Sequence, residues 1–465
     1  MKKNPYAYVR KSVWEKLNAQ QRQEALALAG EYKLFLDAAK TERLAVKEIV
    51  RQAEAHGFAP LSEAASLQPG DKVYAVNRGK NVLLAVIGDV PVAEGMNIVG
   101  SHIDSPRLDL KQNPLYEDCD LVLLKTHYYG GVRKYQWVAR PLALHGTVIR
   151  ADGTAIDVSI GDKPDDPVFY ISDLLPHLSR EQNEKKLGDA IEGEALNVIF
   201  GGFPDDDSEQ EKRVKSAILS LLNEQYGMEE EDFLSAEFEV VPAGAARDGG
   251  IDRSMIAAYG HDDRACAFTS LAALLTLSRP SRTAVALFVD KEEIGSMGNT
   301  GMESTFFTSA AGDMLALQGG DSSDRALRRA YGRSALLSAD VVGGLDPTYA
   351  TVSEAMNAAY MGRGVTIVKY SGSRGKSGSS DANAEFVGKI RKLLNDSGIT
   401  FQTSELGKVD QGGGGTIAYI MANQGMDVLD VGLPVLSLHA PCELVNKADV
   451  YAAEKAYEAF YKQYE

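Results

Sequence analysis

The chain has 465 residues, 44% of them hydrophobic and 25% charged, which suits a globular protein too long for one core and implies two or three domains. A formal net charge of -16 argues against nucleic acid as the main partner, since phosphate binding needs a basic surface. Cys119, Cys266 and Cys442 are too few for a disulfide framework and read as reduced thiols of a cytoplasmic protein.

The N-terminus, Met1-Lys-Lys-Asn-Pro-Tyr, carries charge but no apolar h-region, so no signal peptide is expected. No stretch approaches the roughly 18 apolar residues that span a bilayer, so no membrane partner is expected. Residues 12–56 place Ala, Leu and charges at helical spacing. Strand-like runs follow at Lys72-Val-Tyr-Ala-Val and Asn81-Val-Leu-Leu-Ala-Val-Ile, and Met96-Asn-Ile-Val-Gly reads as a buried strand. Residues 107–252 change character, with short alternating runs such as Leu142-Ala-Leu-His-Gly-Thr-Val-Ile, glycine turns at Gly130-Gly131 and Gly201-Gly202, and a charged loop over 204–213. From Met255 strands alternate with helices again: a helix over 265–277, strands at Ala284-Val-Ala-Leu-Phe-Val and Ala335-Leu-Leu, and helices over 382–396 and 413–424. Strands at Val428-Leu-Asp-Val-Gly and Pro434-Val-Leu-Ser-Leu come next, and the chain ends in an amphipathic helix over 448–464. This alternation predicts an α/β layered sheet in a discontinuous domain, 1–106 plus 253–465, interrupted by a β-rich insert, 107–252.

The informative pattern is where histidines and carboxylates fall. His102-x-Asp104, Asp290-x-Glu292-Glu293, Asp340 and His439 each follow a strand candidate, and Asp262-Asp263-Arg264 opens a helix. Strand carboxyl ends converge on the ligand crevice of an open α/β sheet, so these groups are expected to share one site. Two imidazoles with several carboxylates suit two divalent ions, zinc first, with cobalt or manganese as alternatives. Asp262 is the candidate bridge, with His102 and Asp340 on one ion and Glu293 and His439 on the other. Glu292, beside a ligand, is the candidate general base, and Asp104 the partner that orients the His102 ring. Each motif alone has a plainer reading: a surface His-x-Asp pair, a helix cap at Asp262-Asp263, a solvated Glu292-Glu293 pair. The case lies in their joint order.

Taken as a set, Gly100-Ser-His-Ile-Asp-Ser-Pro-Arg, Asp262-Asp-Arg, Asp290-Lys-Glu-Glu-Ile-Gly-Ser, Ser338-Ala-Asp and Leu436-Ser-Leu-His439 resemble the ordered motifs of the aspartyl-aminopeptidase family of two-metal aminopeptidases. Asp410-Gln-Gly-Gly-Gly-Gly-Thr and Val428-Leu-Asp-Val-Gly-Leu-Pro belong to the same resemblance, which covers nearly the whole chain. It implies hydrolysis of the N-terminal residue, Asp or Glu in that family, from peptides by a metal-activated water. It implies the metal ligands His102, Asp262, Glu293, Asp340 and His439, with Glu292 as base and Asp104 as companion of His102. It also implies that the insert builds dimers which assemble into a dodecamer, and that His177, in Leu174-Leu-Pro-His-Leu, reaches a neighbouring subunit's site. The chain departs from the eukaryotic branch after His439, where it reads Ala-Pro-Cys-Glu-Leu, and around Lys376, the segment that would read an acidic side chain. The rival expectations are deacylation of N-acyl amino acids at the same site, and a non-catalytic assembly shell.

Overall fold

The structure is a computed structural model that describes residue 4, residues 6–207, residue 209 and residues 211–465. The first residues of the N-terminus (1–3 and 5) and two positions of the expected charged loop (208 and 210) lie outside the described residues. Two compact units make up the chain: Met1–Asp104, Ala246–Leu438 and Glu443–Glu465 form one, and Ser105–Ala245 with His439–Cys442 forms the other. These bounds differ from the expected 106 and 253, chiefly because the strand Arg247–Gly249 pairs with Met255–Ala258 of the first unit.

The first unit is built on a nine-stranded sheet. Its order is Ala59–Pro60, Lys72–Asn77, Asn81–Val86, Thr283–Val289, Met96–His102, Ala335–Ser338, Asp427–Gly432, Val365–Val368 and Phe401–Thr403. Thr283–Val289, Met96–His102, Ala335–Ser338 and Asp427–Gly432 run parallel to one another. The period-2 alternation of a strand sends successive side chains to opposite faces. Val82, Leu84, Val86, Ala284, Ala286 and Phe288 accordingly join one core cluster, while Leu83, Ala85, Val285, Leu287 and Val289 join the other. Both faces are apolar because both are covered, as parallel strands require. Each fully buried Leu or Phe here contributes about 1.5–3 kcal/mol of transfer free energy.

The helices Ala19–Ala38, Glu42–Ala55, His261–Leu275 and Lys447–Gln463 supply the first cluster. Ala19–Ala38 begins at a capping box in which Asn18 accepts the Gln21 amide and the Gln21 side chain accepts the Asn18 amide. Its Ala25, Ala29, Tyr32 and Leu36 share one buried stripe at helical spacing. Phe306–Leu317, Asp324–Tyr331 and Ala418–Ala422 cover the other face. A smaller sheet in the same unit orders Arg247–Gly249, Met255–Ala258, Glu443–Asn446, Pro434–Leu436 and Val342–Gly343.

One expected helix is shorter. Over 413–424 only Ala418–Ala422 is α-helical, and Gly413–Gly414 pairs with Gly372–Ser373 instead. Four consecutive glycines, Gly412 to Gly415, oppose a helix by about 1 kcal/mol each, and the helix starts only after Thr416, whose hydroxyl accepts the Ala418 amide.

The second unit carries a six-stranded antiparallel sheet in the order Ala155–Ile160, Leu142–Ile149, Glu237–Pro242, Arg107–Asp118, Leu121–Tyr129 and Val198–Gly201. Among the described residues no helix is long and apolar enough to cross a membrane.

Candidate metal centre

Three adjacent parallel strands end together on one side of the large sheet, with Val289 opposite His102 and Ser338 opposite Gly100. The chain leaving these ends carries His102, the Glu292-Glu293 turn and Asp340. The start of His261–Leu275 adds Asp262 and Asp263, which are joined by a cis peptide and depart from helical dihedrals.

His102 is buried. Its Nδ1 lies 3.1 Å from the Asp104 carbonyl and 3.3 Å from Asp104 Oδ1, so the Nδ1 proton is donated to Asp104. Nε2 faces Asp262 Oδ1 at 3.0 Å and Asp340 Oδ1 at 3.8 Å. Burial opposes charge on this ring, but the carboxylates of Asp104, Asp262 and Asp340 outweigh it and hold the imidazole well above its usual range. Two carboxylates beside one ring nitrogen require a positive charge among them, either a proton or a metal ion.

The donor atoms form two overlapping groups, His102–Asp262–Glu293 and His102–Asp263–Asp340, each within 4.8 Å. Burial, with the charges of Asp340 and Asp262 added, pushes the Asp263 carboxyl well above its usual range. Glu292 is pushed up to about 8, by burial first and then by Asp340, Asp262 and Asp104, with His102 opposing. Asp290 rises to about 7 through burial and the charges of Glu42 and Asp104, and it accepts a hydrogen bond from Thr300 Oγ1 at 2.7 Å. A buried imidazole amid carboxylates that resist ionisation is a donor set completed by a borderline divalent cation, and it fits zinc.

Two further contacts set this geometry. The fully buried Asp104 accepts the Glu292 amide at Oδ1 and the Glu293 amide at Oδ2, both at 3.2 Å. A Cβ on Gly432 would lie 1.6 Å from the Asp340 carbonyl oxygen, so only glycine lets the two chains pass there.

The structure thus brings His102, Asp104, Asp262, Glu292, Glu293 and Asp340 together in the first unit. His439 groups with the second unit, has φ +64°, and its Nδ1 lies 3.1 Å from the Gly131 carbonyl. His177 is exposed in a turn of that unit. His261, next to Asp262, is a satisfied core residue: its Nδ1 pairs with the Tyr32 hydroxyl at 2.7 Å and its Nε2 with the Ile256 carbonyl at 3.1 Å. His145 is held by Ser159 at 3.0 Å and Asp162 at 2.9 Å within the second unit. The sequence reading passed over Asp263 and Gly432. The signal for Asp263 was an Asp doublet opening a helix that, after Arg264, runs apolar from Ala265 to Phe268; for Gly432 no local signal exists.

Candidate metal-binding groups at the carboxyl ends of a doubly covered sheet, with a half-buried glutamate beside them, are the arrangement of a metallohydrolase. The family described as Aminopeptidase I zinc metalloprotease (M18) matches residues 35–461, and the chain belongs to it. It is 50% identical over 454 residues to a probable M18 family aminopeptidase 1 of Clostridium acetobutylicum, covering 97% of both chains. It is similar to the crystal structure of an M18 aminopeptidase from Thermotoga maritima, with 46% identity, 98% of this chain and 100% of that one covered, and a TM-score of 0.95. The mApe1 dodecamer of S. cerevisiae, 19% identical over 94% of this chain and 96% of that one, shares the fold with a TM-score of 0.75. The protein is therefore a zinc metallo-aminopeptidase that acts on N-terminal residues.

Proposed function

We propose that this aminopeptidase works with two zinc ions, with Asp262 shared between them, His102 and Asp340 on one, and Glu293 and His439 on the other. Support for Asp262, Glu293 and Asp340 is their closeness to His102, in two groups that share that ring; His439 is included on the order of the motifs alone. When bound, zinc supplies Lewis-acid polarisation of the scissile carbonyl and makes water a nucleophile near neutral pH. Asp104 holds the His102 ring so that Nε2 faces Asp262 and Asp340, the residues that would hold an ion with it, and its carboxylate fixes the backbone of Glu292 and Glu293. Glu292 takes the proton of the attacking water and passes it to the leaving amine. A carboxyl pushed up to about 8 by burial first, with the charges of Asp340, Asp262 and Asp104 added, suits that shuttle, because adjacent cations would bring it down toward neutrality. The observation that carries the reading is this one: Glu292 sits beside the ligand Glu293, and one buried carboxylate accepts both their amides.

His177 acts across a subunit boundary as a hydrogen-bond donor to the developing oxyanion, and the 107–252 insert forms the dimers that assemble further. The dodecamer named for the yeast relative in fold supports a closed homo-oligomer here. The cytoplasm is the proposed location, on three cysteines that form no disulfide framework. The proposed N-terminal preference is Asp or Glu, on the motif resemblance.

The test is a panel of aminoacyl chromogenic substrates and their N-acylated counterparts with zinc, cobalt and manganese. Turnover of free-amine substrates alone, strongest with acidic residues and zinc, is the expected result. Turnover of the acylated set would make the enzyme a deacylase, and a flat response to side chain would remove the acidic preference. Glu292→Gln should keep wild-type zinc content while kcat falls by about 100-fold or more. Wild-type turnover would remove Glu292 as base.

A further inference from the structure

The first turn of a helix leaves backbone N–H groups with no acceptor inside the helix. In His261–Leu275 the N-cap is Gly260, which has no side chain to supply one. Asp262, with φ -82° and ψ 107°, directs its amide out of the helix, and Glu443 Oε2 accepts it at 3.1 Å.

Glu443 is 1% exposed. It opens the strand Glu443–Asn446, which pairs antiparallel with Met255–Ala258 so that Glu443 stands opposite Ala258, four residues before Asp262. The register of two strands therefore carries a carboxylate to the Asp262 amide. Burying an ionised carboxylate costs several kcal/mol, and apolar side chains of similar size pack as well or better where nothing but packing is needed. On the other side of the same residue, the Asp262 carboxylate lies 3.0 Å from His102 Nε2. The neighbouring His261 does not reach this amide, since its two ring nitrogens pair with Tyr32 and Ile256.

We propose that Glu443 is a positioning residue of the zinc site: by accepting the Asp262 amide it aims the Asp262 carboxylate at His102. This rests on the reading of Asp262 as a zinc ligand. The role assigned to Glu443 is through the Asp262 backbone and not as an acid, base or ligand. Its effect is on the geometry that zinc meets, so it belongs to the class of outer partners whose loss weakens metal binding about 10–100-fold. Glu443 is also the fourth residue after His439, so one short segment carries both a ligand candidate and the anchor of the bridging ligand.

The test compares zinc affinity, by competition with a chromogenic chelator on the full-length enzyme, for wild type, Glu443→Gln, Glu443→Asp and Asp262→Asn. Glu443→Gln keeps the volume and drops the charge; Glu443→Asp keeps the charge and withdraws it by one methylene. Zinc binding about tenfold weaker is expected in each Glu443 variant that retains the wild-type circular dichroism spectrum. A folded variant that binds zinc within about threefold of wild type overturns the proposal. Asp262→Asn separates the two levels. If it too binds zinc like wild type, Asp262 is not a ligand; if it loses zinc while the Glu443 variants do not, only the role of Glu443 falls.

Discussion

Asp104 Oδ1 lies 3.3 Å from His102 Nδ1, across a single intervening residue. The same carboxylate accepts the amides of Glu292 and Glu293, nearly two hundred residues away. One buried side chain thus sets the ring that begins the site and the turn that carries two of its carboxylates.

Asp104→Asn keeps the size but removes an acceptor, because an amide nitrogen cannot accept the N–H of Glu292 or Glu293. Zinc affinity should fall about 10–100-fold, with kcat/KM falling alongside. Chelator competition and steady-state kinetics measure both. Wild-type zinc affinity would show that His102 is oriented by other groups.

Removing zinc should lower stability. Without the ion, the carboxylates of Asp262, Asp263, Glu293 and Asp340 face one another and His102 at close range. A ligand at about 1,000 times its Kd stabilises the folded state by about 4 kcal/mol. A chelator should therefore lower Tm by several degrees, and added zinc should restore it. An unchanged Tm would mean that the purified protein holds no ion at this cluster.

Gly432→Ala tests the passage beside Asp340. A methyl there would meet the Asp340 carbonyl oxygen at 1.6 Å, so one of the two chains must move. The variant should lose at least about 1–3 kcal/mol of stability, as overpacking does, and should bind zinc more weakly. Denaturant midpoints and zinc titration follow the two effects. Loss of stability with intact zinc binding would show that the strand, not Asp340, gives way.

His261 provides a pH signature. Burial pushes its imidazole down to about 3, with the Ile256 carbonyl bond opposing, whereas an unfolded histidine titrates near 6.5. The unfolded state therefore binds the proton first as pH falls. The contribution of His261 to stability is complete above about 6.5 and is lost between there and about 3, at up to about 1.4 kcal/mol per pH unit. His261→Gln should flatten the fall in stability of the zinc-free protein between pH 6.5 and 4.5, measured by urea unfolding. Parallel pH curves for variant and wild type would mean that the buried ring is protonated in the fold.

Much of the architecture was legible because it repeats locally. The apolar run at Asn81–Val86 and the helical stripe of Ala25, Ala29, Tyr32 and Leu36 show in short windows. Over 413–424 the apolar spacing after Thr416 signals a helix longer than the glycines before it allow. Asp263 was passed over because a helix cap and a buried donor read alike in sequence, and burial alone separates them.

By itself the sequence determined the donor types, their order and their attachment to strand ends, since each is a property of a few neighbouring residues. Only the tertiary structure decided which groups share a contact: Asp104 with the Glu292 and Glu293 amides, Glu443 with the Asp262 amide, and Gly432 against Asp340. Those contacts join residues 92 to 189 positions apart through strand register and close packing, and no local periodicity records such a meeting.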